Sequence, residues 1–251
     1  MMKKFIPALC MLMIAAALLG TSTFAWFSMN TEVKATGMTV EATATKNLLI
    51  SATSATEDYS GAVTLGVSAS DLVPVSTIGG NSPTPAFYKL KTAGDEMTQD
   101  NYAAANSKME DAAATDYAKT TVWLKCVGED GENLKLDPAA LTGGDKALDP
   151  ALRVMLVDKT NTKTYIYYPV LGAAYGTSGQ AVASLTDEQA VLGAVTTLAD
   201  DTTVLLTAMT ADMAYAFDVY VWYEGEDVSC TAANTVDMAA TEIALAFSIA
   251  G

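Results

Sequence analysis

The chain has 251 residues, with 29 acidic and 14 basic side chains, a formal net charge of −15 and 51% hydrophobic residues. Enough apolar surface is present to build a sizeable core, and this is not the composition of a disordered chain. The charge argues against nucleic acid as a partner, because a phosphate-tracking surface needs the opposite sign. The absence of histidine removes Ser-His-Asp and Cys-His catalysis, His-ligated zinc and imidazole-based switching.

The N-terminus carries Lys3-Lys4, an apolar run from Phe5 to Leu19 and small residues at Thr23 and Ala25 before Trp26. A short basic head, an apolar stretch and small residues at the cut describe a secretory signal peptide cleaved between Ala25 and Trp26 by a signal peptidase. The run of 15 residues falls short of the roughly 20 that span a bilayer. The expectation is a secreted or cell-surface protein with no membrane anchor after cleavage. Losing residues 1–25 removes two lysines and no acid, taking the net charge to −17. Cys10 leaves with the signal. Cys126 and Cys230 remain, with two readings open: a disulfide, as exported chains carry, or two buried thiols.

From Trp26 onward the pattern is mainly β, in one domain over 26–251. Val33–Ala44, Lys46–Thr53 and Gly61–Ala69 read as strands, and Pro74, Gly79-Gly80, Pro83 and Pro85 mark a loop. Residues 95–119 are polar and Ala-rich and read as a long surface insertion, with a short helix around Asn101–Ala113. In Thr121–Val127, Val122, Leu124 and Cys126 share one face. Glu129-Asp130-Gly131 is a turn signal, Asn133–Leu136 the expected return strand, and Asp137-Pro138 the next break. Leu152–Val157 and Thr162–Val170 form the next pair. Thr186-Asp187-Glu188-Gln189 has capping-box spacing and predicts one short helix. Thr203–Met209, Ala214–Tyr223 and Glu242–Ile249 close the chain as strands, the last with Ile243, Leu245, Phe247 and Ile249 on one side. Strands following strands predict a two-sheet antiparallel sandwich of jelly-roll type.

Candidate chemistry is sparse. The acid clusters Glu57-Asp58, Glu129-Asp130, Asp200-Asp201 and Glu224-Gly225-Glu226-Asp227 lack the spacing of a calcium loop and read as solvated turns. The aromatic groups Tyr165, Tyr167, Tyr168 and 215–223 read as core rather than as a sugar platform. No catalytic residue, metal ligand or cofactor is assigned, and the chain is not expected to be an enzyme. The new N-terminus would be an apolar tip on a β-prone arm, Trp26, Phe27, Met29, Val33, Met38 and Val40. Such an arm can add a strand to the next subunit.

Gly20-Thr21-Ser22-Thr23-Phe24-Ala25-Trp26-Phe27 and Val33–Val40 resemble the processing region of TasA/camelysin-like proteins, which Gram-positive bacteria secrete and cut with a dedicated signal peptidase. Ala151–Val157 and Val221–Cys230 resemble segments of clostridial-type surface proteins. The resemblance implies a jelly-roll-like fold and a structural role in extracellular matrix fibres or at the cell surface, through self-association or related matrix proteins. Camelysin-type members are classed as metallopeptidases, a role for which this chain lacks the His-Glu-x-x-His helix. The alternative function is an adhesin-like module that recognises glycan or a host protein.

Overall fold

The computed structural model describes residues 39–44, 47–53, 55–66, 72–78, 85–91, 108–128, 130–142, 151–161, 163–167, 197–198, 204–225, 230 and 242–250. These residues are mainly β. In chain order the strands are β1 (Thr39–Ala44), β2 (Leu48–Ser51), β3 (Ala62–Gly66), β4 (Pro74–Ile78), β5 (Ala86–Leu90), β6 (Met109–Asp111), β7 (Ala118–Cys126), β8 (Glu132–Thr142), β9 (Leu152–Asp158), β10 (Thr164–Tyr167), β11 (Thr197–Leu198), β12 (Val204–Met209), β13 (Ala214–Glu224) and β14 (Glu242–Ala250). The expected helix at 186–194 lies outside the described residues.

The strands make two sheets. The first has the order β12-β8-β14-β1-β3; the second runs β11-β10-β9-β13-β4-β5-β6, with β7 paired to β13 and β2 to β7. Most ladders are antiparallel, but β1 runs parallel to β14 and antiparallel to β3. One core cluster draws on both sheets: Ala42, Leu134, Leu136, Ile243, Leu245 and Phe247 from the first, and Ile50, Val122, Leu124, Val154, Phe217 and Val219 from the second. The alternation in β7 and β14 is the direct cause. With side chains pointing to opposite faces in turn, every second residue reaches the core.

β13 and β9 depart from simple alternation, because both of their faces are buried. Tyr215, Phe217, Val219 and Val221 enter the first core, while Tyr220 and Trp222 enter a second cluster with Val75, Phe87, Met155, Val157 and Ile166. Phe87 stacks on Tyr117 at 4.3 Å and meets Trp222 edge-on at 5.3 Å. The segment containing β4, β5 and β6 thus covers part of the outer face of the second sheet. It attaches to β13 through Tyr223↔Pro74 and Glu224↔Val75.

Four local expectations change. The turn after β7 carries positive φ at Gly128 and Gly131 (110° and 95°). It does not return a hairpin, however: β7 pairs with β13 and β2, whereas β8 pairs with β14 and β12. The turn is a crossing between sheets. Asp137-Pro138 does not end β8, which continues to Thr142 through a register shift opposite Ala244 and Ala246; a proline is tolerated in a strand at such an irregularity. Finally, the described part of the 95–119 stretch is mostly exposed but not helical. Met109 on β6, Asp116 and Ala118 are buried, and 109–111 is extended rather than helical. The proline-flanked loop around 74–85 also holds β4 and the approach to β5, with Pro74 as the first residue of its strand.

Candidate functional site

The arm residues divide at Thr39. Trp26, Phe27, Met29, Val33 and Met38, together with the Ala25–Trp26 cut, lie outside the described residues. Val40 lies in β1, opposite Ile243 on one side and Leu65 on the other. The chain therefore uses Thr39–Ala44 inside its own sheet, and only residues before it remain as an arm for a neighbour.

The edges of the sheets differ in how well they could accept a strand. β12 pairs with β8 through two register shifts, and Ala208 within it has φ 51°. The Tyr165 hydroxyl donates to the Leu205 carbonyl at 2.9 Å, and Asn133 Oδ1 accepts from the Ala208 N–H. A bulged edge whose polar groups are already engaged is a poor template. β11 has two residues, and β6 has three with exposed Glu110 and Asp111. β2 is bridged to Ser60 through Ile50, with both backbone bonds made. β3 is regular, pairs with β1 on one side only among the described residues, and carries exposed Ala62 and Thr64.

Cys126, the last residue of β7, and Cys230 are both buried and belong to the first core.

The acid clusters resolve into structural roles where they are described. Asp58 accepts from Thr53 Oγ1 at 3.2 Å, and Asp130 accepts from Ala211 N–H at 2.7 Å. Glu224 is fully buried; it accepts from the Trp222 indole N–H at 3.0 Å and from the Ser76 hydroxyl. Among the described residues no three of Cys, Asp and Glu gather as a group that could hold a metal ion, and no helix is long and apolar enough to cross a membrane. Glu129, Asp200-Asp201 and Glu226-Asp227 lie outside the described residues. The aromatics of β13 belong to the two cores, as the sequence suggested, and Tyr165 is buried with its hydroxyl on β12.

Polar residues not singled out from the sequence form the densest charge group. Asp218 on β13 is 3% exposed at its side chain and meets Lys119 Nζ at 3.2 Å and Lys159 Nζ at 3.5 Å. Thr121 Oγ1 donates to it at 2.6 Å. The Lys119 ammonium also lies 5.0 Å from the centre of the Tyr220 ring. Burial acts to lower the Lys119 pKa, but contact with Tyr220 and Asp218 outweighs it and holds the ammonium above its ordinary range. Burial raises the Tyr220 hydroxyl despite the opposing pull of Lys119. The signal for this cluster was present in the alternation: Lys119 and Thr121 share the outer face of β7, and Asp218 pairs with Thr121.

Comparison with protein-family models, curated proteins and solved structures finds no match to this chain.

Proposed function

We propose that this chain is a secreted, non-enzymatic structural protein of a bacterial surface or biofilm matrix, a sandwich of jelly-roll type that self-associates by strand addition. Residues 26–38 act as the donor, and the outer edge of β3 in a neighbouring subunit is the acceptor. The observation that carries the reading is the contrast among edges: β12, β11, β6 and β2 are bulged, short, charged or bridged, and β3 is regular and open on one side among the described residues. Natural sheets blunt their edges, so an edge left regular is a place for pairing. The signal-like N-terminus and the apolar Trp26-Phe27 tip support the same reading. Such head-to-tail contacts do not close, and they produce filaments.

Deleting residues 26–31 tests this. The shortened chain, which retains all of β1, is expected to fold and to sediment as monomer, whereas the chain beginning at Trp26 sediments as polymer. Equal polymer from both chains, or none from either, overturns the reading.

A further inference from the structure

The outer face of the second sheet is covered unevenly. Its lower part, around Tyr220 and Trp222, lies under β4, β5 and β6. Its upper part is only half-buried at Thr121, Trp123, Lys125, Ala214 and Ala216, with Lys119 and Lys159 exposed. On β7, Lys119, Thr121, Trp123 and Lys125 alternate with the core residues Val122 and Leu124, so they stand on one face over about 20 Å. Ala216 pairs with Trp123 and Ala214 with Lys125, which gives the face a low floor beside the indole. Tyr59 flanks it, its ring centre 4.3 Å from Lys125 Nζ.

The charge here runs against the rest of the molecule. Lys119 and Lys159 both pair with one carboxylate, Asp218, and Lys125 lies farther along the same face of β7, over the Tyr59 ring. This leaves local positive charge on a chain of net −15. A shallow, open face with a half-buried indole and spaced cations suits an extended ligand that offers both flat apolar faces and repeated carboxylates. The aromatic face takes a ring by stacking, and the lysines take the carboxylates.

We propose that this face is a binding platform for a carboxylated polysaccharide, with Trp123 as the stacking residue and Lys119, Lys125 and Lys159 as the cations that meet the uronate groups. The proposal does not depend on assembly through β3.

Titration of the purified protein with polygalacturonate as the probe tests the proposal, with dextran as a neutral glycan and polyglutamate as a carboxylate polymer without sugar. Polygalacturonate is expected to bind more tightly than polyglutamate, with affinity falling as salt rises, and dextran is not expected to bind. Trp123→Ala and the double variant Lys125→Gln/Lys159→Gln should each weaken polygalacturonate by about tenfold or more, with unchanged circular dichroism. If Trp123→Ala fails to fold, the lysine variant alone decides. Absence of polygalacturonate binding, unaltered affinity in the lysine variant, or polyglutamate binding as tight as polygalacturonate overturns the proposal; the last result would point to an acidic protein partner instead.

Discussion

Glu224 shows how one side chain ties two layers together. It sits on β13, two residues beyond Trp222 on the same face, and its carboxylate receives the indole N–H and the hydroxyl of Ser76 on β4. Arg153 pairs with Trp222 in the ladder and is also fully buried. Removing the acceptor strands buried donors, so Glu224→Ala should cost about 3 kcal/mol in chemical denaturation, and Glu224→Gln clearly less. The buried tyrosines set an alkaline limit. Burial raises Tyr165, with the nearby Asp158 charge adding to it, and burial raises Tyr220. Because both pKa values are raised in the folded state, their stabilising effect is complete below pH 10, the ordinary tyrosine value, and drains away as pH rises through the folded values. Tyrosinate absorbance should therefore lag that of free tyrosine, and the denaturation midpoint should fall over the same range above pH 10. Asp218 did not stand out in the sequence, and Glu224 did so only as the first residue of an acid cluster read as a solvated turn, whereas it is fully buried. Alternation puts both on the face opposite the first core, where charge is ordinarily solvated. Their burial depends on partners distant along the chain, such as Ser76, Lys119 and Lys159.

At the level of elements, the long alternating strands were legible. β7, β12, β13 and β14 lie where their periodicity placed them, and the β9–β10 hairpin forms as read. It closes around Asp158, whose carboxylate accepts from Thr160 and Asn161 N–H. What periodicity could not supply was pairing. The Gly128 and Gly131 turn has the same residue chemistry whether it folds β8 back beside β7 or sends it to the other sheet, and only the contacts of β8 with β14 and β12 decide. β4 and β5 were missed because five residues beside Pro and Gly signals carry too little pattern, and β6 because three residues in a polar, Ala-rich stretch carry none. The same scale holds a test of assembly. Thr64 is an exposed residue of β3, an edge strand among the described residues, and lysine at such a position blocks edge pairing. Thr64→Lys should leave the melting temperature nearly unchanged and reduce polymer yield in a sedimentation assay several-fold.

For the whole molecule, the candidate arm and the fold are coupled through β1. That strand lies between β14 and β3, one strand in from the edge that β3 forms among the described residues. The candidate site was therefore only partly legible: the sequence marked an apolar, β-prone N-terminus but gave no means of seeing that Val40 is already spoken for within the subunit, nor which edge stays regular. Negative-stain electron microscopy of the purified chain beginning at Trp26, beside the same chain lacking residues 26–31, tests the central claim most directly. The account predicts filaments from the first and dispersed particles from the second; dispersed particles from both, or filaments from both, would contradict it.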